Sequence, residues 1–230
     1  MGKKITQDKF PSRRRVLLSG AALMGGALLL PDEVLGTVKP VRTPAQGEGP
    51  FYPDAPPLDQ DNDLVSVRGR REPAQGRITH ILGRLRDMDG RPVRRARIEI
   101  WQCDALGRYI HTADPGRGPR DPNFQGFGRT LTDDDGRYRF RTIKPVTYPG
   151  RTPHIHFAVK GKGFPRLTTQ MYVEGEPLNE RDFLLSRIRN EEARRAVIVP
   201  LKRASKSGDG GGALIGRFDI VLGSGLGVLE

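Results

Sequence analysis

The chain has 230 residues and a mass of 25.5 kDa, enough for one well-filled core with some length to spare. Its 39 Lys and Arg against 27 Asp and Glu give a formal charge of +12, yet the basic residues are scattered and the few aromatics do not interleave with them. A nucleic-acid stacking platform is therefore not expected. Cys103 is the single cysteine, which excludes an internal disulfide framework and a thiolate zinc cage, and its ordinary reading is a small buried apolar residue.

Residues 1–15 carry Lys3, Lys4, Lys9 and the run Arg13-Arg14-Arg15, and an uncharged segment rich in Leu, Ala and Gly follows over 16–30. That segment is short for a membrane span, which needs about 20 residues, and suits a signal-peptide core. Ser12-Arg13-Arg14-Arg15-Val16-Leu17-Leu18 resembles the twin-arginine export signal, with Leu18 where Lys is common and no clean A-x-A cleavage site after it. The expectation is a leader over 1–36, cleaved near Gly36, and an exported, periplasmic or other extracytoplasmic protein. An uncleaved leader would anchor the chain, and the membrane is otherwise not a partner. Without residues 1–35, which hold six basic and three acidic residues, the charge is 12 − 6 + 3, or +9. Such a surface suits anionic small substrates and plain solvation equally.

Residues 37–63 are rich in Pro, Gly and Asp without apolar periodicity and are expected to form an extended arm that orders on contact. Short β-branched runs then alternate with turn signals. Strands are predicted over 77–85, 94–102, 138–142, 154–159, 167–173 and 216–222, with turns at Asp87-Met88-Asp89-Gly90 and over 132–136. In 94–102, Ala96, Ile98 and Ile100 face one way and Arg95, Arg97 and Glu99 the other. Helical periodicity appears only over 180–196, where Phe183, Leu184 and Ile188 share a face, and residues 205–212 read as a loose loop. The expectation is an all-β chain: one antiparallel β-sandwich domain over 37–230, with long loops and one or two short helices.

His154-Ile155-His156 is the sharpest local feature, because residues two apart in a strand project from one face. Imidazole is a common metal ligand, although two histidines on a polar strand face would look the same. No carboxylate stands beside them, which disfavours a facial-triad iron(II) site, and His80 and His111 are the only other histidines. Tyr109, after Gly107-Arg108, and Tyr148, in Tyr148-Pro149, are the candidates to complete a site. Each tyrosine alone reads as a structural corner. A phenol normally keeps its proton to about pH 10, but a trivalent cation can remove it near neutrality. Two phenolates and a hydroxide would balance the charge of Fe(III).

The stretch Ile100-Trp101-Gln102-Cys103-Asp104-Ala105-Leu106-Gly107-Arg108-Tyr109 resembles the segment that carries the first tyrosine ligand in intradiol ring-cleavage dioxygenases. The likeness continues through Asp121-Pro122-Asn123-Phe124-Gln125-Gly126-Phe127-Gly128-Arg129 and residues 138–145. It is most specific at Tyr148-Pro149-Gly150-Arg151-Thr152-Pro153-His154-Ile155-His156-Phe157, and returns at Thr168-Thr169-Gln170-Met171-Tyr172 and Arg217-Phe218-Asp219-Ile220. It runs from about 47 to 222 and is nearest the protocatechuate-type branch. The resemblance implies one Fe(3+) per chain held by Tyr109, Tyr148, His154 and His156, with Tyr148 the ligand that leaves when substrate arrives. It implies that Arg151 and Gln170 lie near the bound ring. It also implies that Gly47-Glu48-Gly49-Pro50-Phe51-Tyr52-Pro53 folds over the pocket mouth, with Pro50 and Tyr52 touching substrate. The implied reaction opens a small aromatic diol with O2, between the hydroxyl-bearing carbons, to a cis,cis-muconate-type product. The interval from Tyr148 to His154 lacks the Trp-containing insertion of the two-chain protocatechuate enzymes, and Gly150 leaves a smaller wall, so recognition of carboxylated substrates stays open. The helical segment by which catechol-specific members form dimers is also missing from the sequence, and homo-oligomer formation is left open.

The turns around Asp89-Gly90 and over 132–138 are equally at home in non-enzymatic transthyretin-like β-sandwich modules that bind partners or space domains. That alternative leaves unexplained why Tyr109, Tyr148, Arg151, His154 and His156 occur together.

Overall fold

The computed structural model describes residues 40–204 and 212–223; the expected leader and most of the 205–212 loop lie outside them. Two five-stranded sheets face each other. The first is built on β1 (Ile78–Arg86), flanked on one side by β4 (Arg137–Ile143) and on the other by β9 (Leu214–Arg217) and β10 (Ile220–Val221), with β8 (Lys202–Arg203) outside β9. The second runs in the order β3 (Phe127–Leu131), β2 (Arg97–Trp101), β5 (His154–Lys160), β6 (Leu167–Val173), β7 (Ile198–Val199). This is the expected sandwich, with both sheets mixed. The long pairings β1–β4, β2–β3, β2–β5 and β5–β6 are antiparallel, while β7, β9 and β10 join in parallel. Parallel entry of β7 follows from its connection to β6, a crossover carrying a 3-10 turn (Pro177–Arg181), α1 (Phe183–Ser186) and α2 (Glu191–Ala196).

Three turns share the sequence Asp-x-x-Gly-Arg and one geometry. Asp87, Asp104 and Asp133 each accept two backbone N–H bonds on Oδ1, from residues two and four further on, at 2.7–2.9 Å. The glycines Gly90, Gly107 and Gly136 adopt φ of 78°, 78° and 70°, a left-handed conformation that a side chain would disfavour. Two of these turns close strands of the sandwich, and the middle one opens the site.

The predicted strands form to within a few residues, except that 216–222 divides. Phe218 N donates to Leu82 O, but Arg84 N bonds the Asp219 carboxylate instead of a backbone carbonyl, which interrupts the ladder. Gly83 allows this approach, since a Cβ there would lie 1.9 Å from Phe218 O. β3 was not foreseen, because Gly128-Arg129 interrupts its apolar run. The helical stretch forms the expected short helices, capped by Asp182 and Asn190, but its buried face differs: Leu185, Ile188 and Ala193 are buried, while Phe183 is exposed.

The main core lies between the sheets, where Ile81, Leu85 and Phe140 meet Ile98, Ile100, Ile155, Phe157 and Met171. Strand β5 is buried on both faces, as is most of each neighbouring strand, β2 and β6. Ile155, Phe157 and Val159 enter the core, and His154, His156 and Ala158 turn outward beneath a second apolar cluster of Trp101, Cys103, Tyr109 and Phe127. The cover comes from the segment expected as an arm: Thr43 N bonds Val221 O, Gln46 N bonds Thr168 O, and Phe51 and Tyr52 pack on the second cluster.

Candidate active site

The site is assembled on the outer face of the second sheet. Antiparallel register sets Trp101 of β2 and Gln170 of β6 on either side of His156, so all three side chains share its face. The indole stacks on the His156 ring with centroids 4.8 Å apart and planes at 10°. Tyr109 arrives through the middle Asp-x-x-Gly-Arg turn, where Asp104 Oδ2 also accepts Asp121 N at 2.7 Å and Asp114 Oδ2 accepts Tyr109 N at 2.6 Å. Tyr148 and Arg151 are the ends of a turn closed by Arg151 N donating to Tyr148 O at 3.0 Å. Pro149 and Gly150, at φ 81°, occupy the two positions where a type II turn wants them.

The four candidate ligand side chains converge. His154 Nε2 and His156 Nε2 lie 3.0 Å apart, the Tyr109 and Tyr148 rings meet edge to face at 5.3 Å, and Tyr148 reaches the His154 ring at 5.6 Å. His154 Nδ1 lies 2.6 Å from the Thr152 carbonyl, which can only accept, so this nitrogen carries the proton and Nε2 presents a lone pair. Burial, helped by the Arg151 charge, lowers the pKa of His154 to about 4. Burial also depresses His156 strongly, with the His154 and Arg151 charges acting in the same direction. Both rings are therefore neutral at neutral pH, the form that binds metals.

Burial pushes the Tyr109 phenol well up, and it raises that of Tyr148 as well, with Arg151 opposing. Neither would ionise unaided. Tyr109 is 3% exposed, and its hydroxyl and His156 Nδ1 are buried without a hydrogen-bond partner of good geometry. Buried polar atoms are rarely left so, and a bound cation is one explanation for a phenol oxygen in this position. Among the described residues no group of three or more His, Cys, Asp or Glu side chains gathers as a metal site. A metal at this place would have to use the phenols, and the donor set of two imidazoles and two phenols fits a hard trivalent ion.

Arg151 and Gln170 also come together, with Arg151 Nη2 donating to Gln170 Oε1 at 2.6 Å. Burial alone would lower the Arg151 pKa, but hydrogen bonding to Asp182 and its charge reverse this and keep the guanidinium ionised. The arm behaves less simply. Pro50 is exposed, and the Tyr52 hydroxyl is turned to Glu99 Oε2 at 3.1 Å. The residue between them, Phe51, stacks on Tyr109 at 5.0 Å and edges Tyr148 at 6.1 Å. Gly49 crosses above His156, where a Cβ would lie 3.3 Å from Cε1. Sequence reasoning gave no role to Phe51, Gly49, Trp101, Thr152 or Asp182. Only Asp182 had a readable signal, a helix-capping residue before an apolar turn; the others depend on strand register and loop packing.

Comparison with known proteins places this geometry. Residues 47–224 match the family model described as Dioxygenase. The chain is 43% identical over 177 residues to the protocatechuate 3,4-dioxygenase beta chain of Burkholderia cepacia, a match covering 74% of this chain and 73% of that one. It is 32% identical over 205 residues to the hydroxyquinol 1,2-dioxygenase of Corynebacterium glutamicum, covering 77% and 62%. Among solved structures, the dioxygenase domain of a dioxygenase–carbohydrate-binding protein fusion from Streptomyces sp. SirexAA-E matches with a TM-score of 0.61 at 31% identity, over 80% of this chain and 99% of that one. The chain belongs to the intradiol ring-cleavage dioxygenases, a family of oxidoreductases.

Proposed function

We propose that this chain opens catechol-type rings between the hydroxyl-bearing carbons with O2, giving cis,cis-muconate-type products, and that Tyr109, Tyr148, His154 and His156 hold one Fe(3+). The observation that carries the reading is the 3.0 Å approach of two neutral imidazoles beside a buried phenol with no hydrogen-bond partner of good geometry. The ferric ion would act as a Lewis acid and as a template for the diol.

The remaining work falls to side chains. Tyr109 is sealed under Phe51, whereas Tyr148 is half-buried between exposed residues, Thr147 before it and Pro149 and Gly150 after it. Tyr148 is therefore the phenol free to move aside, and its Oη can take up a substrate proton. Arg151, beside Tyr148, supplies fixed positive charge where electron density builds on the ring. Gln170, bonded to Arg151 Nη2, orders that side of the pocket. Phe51 and Trp101 exclude water from the tyrosine and histidine rings.

The relatives are named for protocatechuate and hydroxyquinol, and the shared chemistry is a vicinal aromatic diol. Gly150 stands in open space, with no atom within 4 Å of where its Cβ would be, so the turn leaves room for a ring substituent. Purified protein is expected to be red from phenolate-to-iron charge transfer, to change colour with a diol, and to consume one O2 per ring opened. Oxygen uptake over catechol, protocatechuate, hydroxyquinol and substituted catechols tests the activity and ranks the substrates. A colourless chain, inert on all of them, would refute it.

Export through the twin-arginine route is part of the same proposal, since that route carries folded, metal-loaded proteins. Among the described residues no helix is long and apolar enough to cross a membrane. Replacing Arg13 and Arg14 together by Lys should hold the protein in the cytoplasm, and unchanged export on cell fractionation would reject the route.

A further inference from the structure

We propose that Asp182 is a positioning residue for the reaction, holding the Arg151 guanidinium so that Nη2 meets Gln170 and its charge acts on Tyr148. The inference rests on the ferric-site reading above and deepens it. Asp182 lies between the 3-10 turn and α1, and its side chain is 0% exposed. Its carboxylate is fully used. Oδ2 accepts Arg151 Nε at 2.8 Å and Thr152 N at 3.2 Å, and Oδ1 accepts Leu184 N at 3.1 Å, Leu185 N at 3.0 Å and, more weakly, Arg151 Nη2 at 3.5 Å.

One carboxylate thus joins the start of a helix, the arginine, and Thr152, whose carbonyl fixes the His154 ring. A cap alone explains only the two leucine N–H bonds, and a neutral Asn or Ser would make them as well. A buried charge is costly unless paired, so a carboxylate here is intelligible through the guanidinium it meets. The contact is also directional. Nε and Nη2 form one edge of the planar fork, and fixing that edge on Asp182 determines where the remaining N–H groups point. Nη2 then reaches Gln170 Oε1 at 2.6 Å, and the guanidinium charge acts on the Tyr148 phenol, opposing the rise that burial gives it. Phe183 covers the pair, its ring 5.5 Å from Arg151 Cζ.

The test is a double-mutant cycle in the iron-loaded full-length chain: wild type, Asp182→Asn, Arg151→Ala and the double variant. Asn caps helices as well as Asp does, so the cap is kept, but the Arg151 charge loses its buried counter-charge. The melting midpoint of Asp182→Asn should fall and should recover in part in the double variant, while its visible charge-transfer band should match wild type. Its kcat should fall about 10–100-fold, the usual effect of losing an orienting partner, with KM within a few-fold. The double variant should be no slower than Arg151→Ala alone, because the two side chains act as one unit. The inference is overturned if Asp182→Asn keeps wild-type kcat, if the two losses multiply, or if Asp182→Asn loses its iron band while Arg151→Ala keeps it. A coloured, active wild type with any of these outcomes removes only the role of Asp182. A colourless wild type, inert on every diol, removes the ferric reading and this inference together.

Discussion

Two buried tyrosines of this chain respond oppositely to loss of their hydroxyls. Tyr109 and Tyr138 are 3% and 5% exposed, and burial raises both phenols well above their ordinary range. Tyr138 donates to the Phe218 carbonyl, whereas the Tyr109 hydroxyl has no hydrogen-bond partner of good geometry, only the neighbouring Tyr148 phenol. In metal-free protein, Tyr138→Phe removes a buried hydrogen bond and should cost about 1 kcal/mol. Tyr109→Phe removes a desolvated hydroxyl that is hardly compensated, and should stabilise the metal-free chain by about 1 kcal/mol. For a domain of this size each change corresponds to about 2–4 °C in melting midpoint. In metal-loaded protein the order inverts. Tyr138→Phe keeps the red band, and Tyr109→Phe should lose both iron and colour and fall below wild type, because bound metal stabilises only the fold that holds it. Calorimetry of the three proteins, with and without iron, measures every quantity. If metal-free Tyr109→Phe melts lower than metal-free wild type by as much as Tyr138→Phe does, the Tyr109 hydroxyl is satisfied in some other way and is not held for a cation.

Gly49→Ala should destabilise the chain by about 1–2 kcal/mol, since φ is 76° and the new Cβ would press on His156 at 3.3 Å. It should also speed iron loss to a chelator, and an unchanged release rate would show that the arm does not guard the pocket. Trp101→Leu removes the stacked face that holds the His156 ring, and a loss of iron affinity on the order of 10-fold is expected, read by competition with a chelator. The metal-free protein should lose stability on acidification from pH 6.5 towards 4. The folded-state pKa of His154 lies near 4 and that of His156 is also depressed, so the unfolded chain binds more protons in this window. Stability is fully present above the unfolded value near 6.5 and falls below it, by at most about 1.4 kcal/mol per pH unit for each histidine. A stability curve flat from pH 6.5 to 5 would show that the rings are not buried in neutral form.

Much of this was legible because the signals were local. Short β-branched runs between turn signals placed five of the six expected strands to within three residues at either end, and the H-x-H spacing alone put His154 and His156 on one face of β5. The Pro149-Gly150 turn and the Asp-x-x-Gly-Arg turn around Gly107 are written in neighbouring residues, so the placing of Tyr148, Arg151 and Tyr109 is encoded there. The strand Phe127–Leu131 was missed because its pattern is weak by itself and is completed by pairing with β2. The misjudged face of α1 has a similar origin: Phe183 is drawn outward over Arg151 and Arg187, while Leu185 takes the buried side.

By itself the sequence determined the strands, the turns and the candidate donors, since each depends on residues within a few positions along the chain. Only the tertiary structure decided that Tyr109, Tyr148 and the histidine pair meet, that Trp101 stacks on His156, that Phe51 rather than its neighbours faces the tyrosines, and that Asp182 holds Arg151. Those contacts join segments brought together by strand register and by the arm's path across the second sheet. Their geometry follows from packing over long sequence separations, which no local pattern records.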